Sequence, residues 1–314
     1  MNTTLARINS SAPNMPTQTT ELRAVSVPAT SNLSGLGLGL LAVAAFSLTL
    51  PATRVAVESL SPAFVGVGRS FVAALLAAPL LWITRQRRPS AAQCRRLGYV
   101  ILGAIFGFPL LTAWAMQHAS ASHGAAIIGL LPLATAIIGA WRAGERPGGR
   151  FWLAGVAGSA IVAGFALSAG AGSLSLADLA IFAAVLMAGI AYAEGARLAR
   201  EMGGWQVICW ALVLALPLLA PLTIWFAWQH GLPPPSRAWL GFGYVSLVSA
   251  FLGFFAWYRA LAIGGVCRVS QVQLLQPFMT ILFSAAWLGE RIDAATIICA
   301  LAVAASVVMG RRAS

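Results

Sequence analysis

The sequence predicts an all-α integral membrane protein whose ten transmembrane helices form two five-helix inverted repeats. Three observations carry this expectation. The 314-residue chain has a mean hydropathy of +0.83 with only 9% charged residues, far from the balance of water-soluble domains. It contains ten apolar runs of about 18 to 25 residues, the length that crosses roughly 30 Å of hydrocarbon as helix. A Gly-Glu-Arg box closes one such run in each half, at Gly144–Arg146 and Gly289–Arg291.

Residues 1–34 are rich in Asn, Thr, Ser and Pro and lack apolar periodicity, so they read as a disordered cytoplasmic tail. The spans follow at 36–57, 63–84, 97–117, 123–141 and 151–170, then at 177–198, 205–228, 238–262, 268–288 and 294–310. "RQRRPSAAQCRR", "RPGGR", "GAGSLS" and "HGLPPPS" separate them with turn-forming residues. The first run is too long for a signal-peptide core and more spans follow it, so it reads as a retained helix. Two repeats result, 35–170 and 175–312.

All twenty basic residues are Arg. With the N-terminus inside, sixteen of them fall in the tails, in cytoplasmic loops or at inner helix ends, three (Arg54, Arg237, Arg291) at outer ends, and Arg69 within the second span. The positive-inside rule therefore puts both termini in the cytoplasm. This topology accounts for the net charge of +12 without a nucleic-acid partner, and leaves basic loops to meet anionic lipid.

The repeat is visible in the residues. A shift of 145 lays Pro132 on Pro277, Thr135 on Thr280 and the first Gly-Glu-Arg box on the second; a shift of 143 lays "TRVAVE" (53–58) on "ARLARE" (196–201). Five spans per copy is an odd number, so the second copy enters the membrane from the opposite side. Within the box, Gly ends the helix, Arg meets its carboxyl end and Glu is expected to pair locally, a structural role.

Several chemistries are disfavoured. Without Lys there is neither a phosphate-loop lysine nor a Schiff base. Three His and four Cys are scattered without zinc spacing, and the Cys read as free thiols. "GLGLG" (35–39) follows no strand, and Gly103 and Gly107 are read as close-packing residues. No cofactor and no enzyme are expected.

Polar and helix-breaking residues inside the spans mark the candidate site. Pro51, Pro79, Pro109, Pro132, Pro217, Pro221 and Pro277 each remove a backbone donor. Pro132 and Pro277 stand at matched mid-span positions, and matched interruptions point to a central site between repeats. Next to Pro277, Ser270, Gln273 and Gln276 recur every three residues along one helix side, whereas the matched residues of the fourth span are Ala125, Ile128 and Leu131. An amide wall opposite an apolar wall suits a small amphipathic solute; hydrogen bonding between helices is the competing role of the glutamines. Tyr192 and Trp257 join the substrate-binding candidates. Glu194, a carboxylate well inside a span, is the proton-coupling candidate, with an ion pair to Arg197 as the alternative. For Arg69, a structural ion pair or snorkelling competes with substrate contact.

The ten spans, the repeated boxes, "VGVGRSFVAALLAAPLL" (65–81) and "WYRALAIGG" (257–265) together resemble the drug/metabolite transporter superfamily, EamA-like branch, over about residues 36–310. The resemblance implies a bacterial inner-membrane secondary carrier exporting amino acids or related metabolites by alternating access, as monomer or homodimer; efflux of hydrophobic drugs is the alternative substrate class, and an intramembrane enzyme or a sensor a more remote one. One departure concerns the first span, where "AFSLTLPAT" (45–53) replaces the Trp-Gly pair common in these proteins.

The arginine asymmetry yields a topology test. Reporters fused after Arg88 and at the C-terminus should read cytoplasmic, and one inserted in "QHGLPPPS" (229–236) external. An external C-terminus would overturn the even span count.

Overall fold

The computed structural model describes residues 29–143, 175–234, 236–264 and 272–311, isolated positions between 149 and 165, and residue 269. Among these residues all regular structure is helical. The helices are α1 (Ala29–Ser47), α2 (Thr49–Ala56), α3 (Pro62–Ile83), α4 (Ala91–Val100), α5 (Phe108–Ala115), α6 (Ala121–Ile128), α7 (Leu131–Ala143), α8 (Leu176–Met202), α9 (Gly204–His230), α10 (Arg237–Tyr244), α11 (Gly253–Gly264), α12 (Gln276–Leu288) and α13 (Ala294–Arg311). Two π-helical stretches, Ile101–Gly107 and Val245–Leu252, join α4 to α5 and α10 to α11, and a 3₁₀ turn, Val272–Leu275, leads into α12.

Among the described residues, seven stretches are long and apolar enough to cross a membrane: Gly35–Ala56, Pro62–Ile83, Ala91–Ala115, Ala121–Gly139, Leu176–Met202, Gly204–His230 and Arg237–Gly264. Val272–Leu288 and Ala294–Ser306 are shorter apolar helices. These nine coincide with nine of the ten expected spans. The other, 151–170, falls mostly outside the described residues, as do the first Gly-Glu-Arg box and Cys267. Cys94, Cys209 and Cys299 are free thiols.

Two boundaries differ from expectation. Helix α1 starts at Ala29, inside the segment read as tail. The third span starts at Ala91 rather than 97, because Ser90 and Gln93 form a reciprocal capping box: Ser90 Oγ accepts from Gln93 N–H, and Gln93 Oε1 accepts from Ser90 N–H. Arg95 and Arg96 thus lie on a helix, not in a loop.

Helices pair across the two halves. The α1 helix packs on α11, where the Phe46 and Phe254 rings meet edge to face at 5.2 Å, and Tyr244, the last residue of α10, donates from Oη to Ala45 O at 2.8 Å. The α8 helix packs on α5 and the preceding π stretch. A Cβ at Gly103 would lie 2.2 Å from Met187 O, so only glycine allows that approach, in keeping with the close-packing role expected of it. Helix α3 packs on α9 and α6 on α12. Two ion pairs clamp the ends: Glu58, after α2, receives Arg237 at 2.5 and 2.8 Å, and Glu201, ending α8, receives Arg96 at 2.5 Å. The hydrogen bond from Arg237 holds the Glu58 carboxyl below its usual pKa, against a smaller opposing effect of burial.

The second Gly-Glu-Arg box has a definite role. Gly289 adopts φ +66°, the left-handed conformation that ends α12. Glu290 does not rely on a local pair. Its carboxylate accepts from Ala121 N–H and Ser122 N–H, both at 2.9 Å, and from Ser122 Oγ at 2.6 Å, capping α6 from 168 residues away. An anion here satisfies donors that a helix start leaves unpaired and meets the positive end of its dipole.

Removing this cap should be costly. Glu290→Ala is expected to destabilise the fold by about 1 to 3 kcal/mol, the range for charge-assisted hydrogen bonds and helix caps. Ser122→Ala, which removes one of the three donors, should cost less. Unfolding of the purified protein in mild detergent measures both, and wild-type stability in Glu290→Ala would refute the capping role.

Candidate solute-binding site

Helix interruptions, each traceable to sequence, shape the centre of the molecule. The fourth span breaks at Gly129–Leu130, between α6 and α7, with Pro132 as the second residue of α7. The ninth changes from 3₁₀ to α at Leu275–Gln276, with Pro277 as the second residue of α12. Pro is tolerated there because N–H groups in a first helical turn lack helical acceptors anyway. Pro132 and Pro277 are both buried, so the matched interruptions expected from the repeat are present. The first span also breaks, at Leu48, just before Pro51. By contrast Pro79 lies within continuous α3, and Pro217 and Pro221 within continuous α9.

Between these breaks lies a small, mostly enclosed cavity of about 20 Å³, room for about one water. Its wall includes Phe46 and Thr49 from the first span, Arg69 from α3, Ala104 and Phe108 from the third, and Leu131 from the fourth; the second half adds Ala188, Tyr192, Ser249, Phe254 and Gln276. Three wall pairs are related by the repeat offsets: Ala104 and Ser249 stand 145 residues apart, as do Leu131 and Gln276, while Thr49 and Tyr192 stand 143 apart. Ala104 and Ser249 belong to the two π stretches, a helix form that recurs at functional sites. A wider recess of about 690 Å³ opens elsewhere, beside Trp82, Arg85, Arg88 and Trp210 at one end of α3 and α9.

The sequence candidates divide into groups. Gln276 and Tyr192 line the cavity. Gln273 is 1% exposed on the adjoining 3₁₀ turn, outside the lining, and among the described residues neither its Oε1 nor its Nε2 has a hydrogen-bond partner, nor does Gln276 Oε1. Gln273 lies on the 3₁₀ turn and Gln276 begins α12, so the two do not share one α-helix. Trp257 is fully buried behind the wall, its ring 5.4 Å from that of Tyr192 and 6.3 Å from that of Phe46. Ser270 lies outside the described residues.

Glu194 is 1% exposed and is not among the cavity-lining residues. Its carboxylate meets Arg96 Nε at 3.1 Å and Arg197 Nη1 at 3.6 Å. The expected Arg197 contact is present, but Arg96 is the nearer partner. Arg96 also binds Glu201, so one arginine ties the third span to two carboxylates of α8.

Beyond Gln276, Tyr192 and Leu131 of the apolar wall, the sequence singles out only Arg69 among the wall residues, without assigning it to the site, and Ala104, Phe108, Ala188, Ser249 and Phe254 carry no signal of their own as wall residues. Arg69 neither snorkels nor joins an ion pair among the described residues: it is 3% exposed and donates from Nη2 to Ser249 Oγ at 2.9 Å. Ser249 Oγ is also 2.8 Å from Thr49 Oγ1. The signal that finds Thr49 and Ser249 is the repeat itself, since Thr49 shares its offset with Tyr192 and Ser249 its offset with Ala104.

Comparison with known proteins bears on what such a fold does. A protein of Bacillus subtilis (strain 168) named "Uncharacterized transporter YdeK" is 47% identical over 278 residues, covering 87% of this chain and 96% of that protein. A "Probable terminal-alkyne amino-acid exporter" of Streptantibioticus cattleyicolor is 26% identical over 258 residues, covering 80% and 84%. A solved structure, titled only as the crystal structure of a protein, superposes with a TM-score of 0.61 at 16% identity, over 89% of this chain and 96% of that one, which shows a shared fold. The family model for EamA-like transporters matches twice in tandem, at residues 33–168 and 175–310. The chain therefore belongs to the EamA-like transporter family: it is a multi-pass membrane transporter of a small-molecule solute, not an enzyme.

Proposed function

We propose that this protein is an inner-membrane secondary carrier that exports a small amphipathic metabolite, such as an amino acid or a derivative, by alternating access. The observation that carries this reading is the central cavity, bounded by offset-related residues of both repeats and by Gln276, whose Oε1 has no partner among the described residues, with the unpartnered amide of Gln273 adjoining it. Unpartnered polar atoms in a membrane core are costly, and a solute that supplies their partners repays that cost only when bound. Phe46, Phe108 and Phe254 offer the apolar part of the same wall. The similarity to a protein named as an amino-acid exporter agrees with this chemistry.

Alternating access rests on an inverted relation between the halves, with ten spans and cytoplasmic termini. Its support is reciprocity. Glu58 and Glu201 are 143 residues apart, and each is clamped by an arginine near the start of a span in the other half. With room for about one water, the cavity corresponds to a closed state, and solute enters when the halves part on one side.

Proton coupling is assigned to Glu194. It is buried within a membrane-spanning helix, held by Arg96 of the third span and Arg197 of its own, with Glu201 sharing Arg96. Protonating Glu194 would cancel the charge that draws Arg96 to it and so loosen the third span from α8. Glu194→Gln, which cannot take up the proton, should abolish transport driven by a pH gradient while leaving solute exchange at equal pH intact. Unchanged gradient-driven flux in proteoliposomes would return Glu194 to a structural role.

The site itself is tested by Gln273→Leu and Gln276→Leu. A hydrogen bond contributes roughly 0.5 to 1.5 kcal/mol net, so each change should weaken solute binding about two- to tenfold. Folding should survive, because Leu suits a buried position in a membrane helix. A packing role would give the opposite pattern, lower abundance with unchanged affinity per folded molecule. Binding to purified, monodisperse variants distinguishes the two.

A further inference from the structure

We infer that Arg69 is the carboxylate receptor of the transport site and fixes the solute class as a monocarboxylate with a hydrogen-bond-donating head, an inference that rests on the carrier reading above. The argument begins with a charge that has no counterpart. Arg69 is buried in the membrane-spanning part of α3 and lines the cavity, and among the described residues no carboxylate pairs with it. Among the described residues it donates from Nη2 to the neutral Ser249 hydroxyl, and its Nε–H has no acceptor there. A guanidinium cannot shed its proton under ordinary conditions, so the chain carries a fixed positive charge where charge is most expensive.

A purely architectural arginine would be expected to recur where the repeat recurs. Offsets of 143 to 145 from Arg69 fall on Leu212, Val213 and Leu214, all apolar, so the cation belongs to one half alone. The surrounding polar groups add to the case. Thr49 bonds to Ser249 and thereby orients the hydroxyl that holds Nη2, leaving the Nε–H and the remaining guanidinium donors for a ligand. Gln276 Oε1, on the same wall, is an acceptor with no donor among the described residues. A solute carrying a carboxylate and an ammonium or hydroxyl would satisfy the arginine with one group and the amide oxygen with the other. Arg recognises carboxylates through parallel N–H groups, which makes the contact directional as well as charged. A bulk chloride ion is the other source of a single negative charge, and it offers none of this directionality.

The experiment begins with spent-medium metabolite profiles of strains overexpressing or lacking the protein, followed by flux of the exported solute in proteoliposomes. The inference expects that solute to carry a carboxylate. Its free acid should compete for wild-type transport at least about tenfold better than its carboxamide, since the amide leaves the arginine unpaired. Arg69→Gln and Arg69→Lys should lose flux by a similar factor or more at matched abundance. The competition arm uses wild-type protein alone, so it decides the matter even where the variants fail to fold. Equal competition by acid and amide, or an exported solute without a carboxylate, overturns the inference and leaves the carrier standing. Loss of wild-type flux when sulfate, which carries no carboxylate, replaces chloride would identify the anion as chloride and likewise overturn it. If no solute differs between the strains, the carrier reading fails and the carboxylate assignment with it.

Discussion

In hydrocarbon there is no water to complete a main-chain hydrogen bond, so every helix interruption must be satisfied by another part of the protein. That constraint organises this molecule. Pro51 has no N–H for the carbonyl of Ser47, four residues before it, and Thr280 Oγ1 of α12 donates to that carbonyl at 2.8 Å. Pro109 likewise frees the carbonyl of Ile105, which accepts from Ser70 Oγ of α3 at 3.1 Å. In both places a side chain from another helix completes the break. The residue beside Ser70 is Arg69, so the hydrogen bond that repairs a π stretch also helps fix the backbone from which the buried guanidinium extends.

The same constraint explains which features were legible in the sequence. Helical spans, their turns and the repeat offsets follow from one-dimensional patterns, because apolar length and proline position are local properties. The break at Pro132 and its counterpart at Pro277 could be anticipated for that reason, and so could glycine ending α12. What could not be read locally were contacts whose partners lie far apart in the chain. Glu290 caps a helix 168 residues away, and no feature of "WLGER" names Ala121 or Ser122. The start of the third span was hidden differently: Ser90 and Gln93 form a capping box inside a stretch so rich in Arg that composition argued for a loop.

The candidate site was legible only on its more conspicuous side. Glutamines in an apolar helix announce themselves, whereas Thr49, Ala104 and Ser249 are unremarkable until the repeat offset pairs them around one cavity. The pairing also exposes an asymmetry. Where the first half supplies Thr49, Ala104 and Leu131, the second supplies Tyr192, Ser249 and Gln276, and each second-half residue is larger or more polar. Duplication gives the two walls similar backbones. Divergence of the side chains is what can turn such a symmetric frame into a site that prefers one orientation of an asymmetric solute.

A carrier working by the proposed alternating access has to resolve two opposing demands. The cavity must close tightly enough to exclude a leak, and here about 20 Å³ remains. It must also part at low energetic cost, which argues against holding the halves together by apolar packing alone. The clamps answer this differently from the core. Glu58 with Arg237 is largely exposed, and solvent screens such an ion pair enough that it can break and re-form. Arg96 is less exposed and shares its charge between Glu194 and Glu201, so loss of one contact need not strand it. On the carboxylate-receptor proposal, Arg69, which pairs with no carboxylate among the described residues, fits this logic from the inside: an entering anion would stabilise the closed state, so occupancy and closure would favour each other. Such linkage would let the carrier cycle when loaded and resist closing when empty, a property that follows from where one uncompensated charge sits.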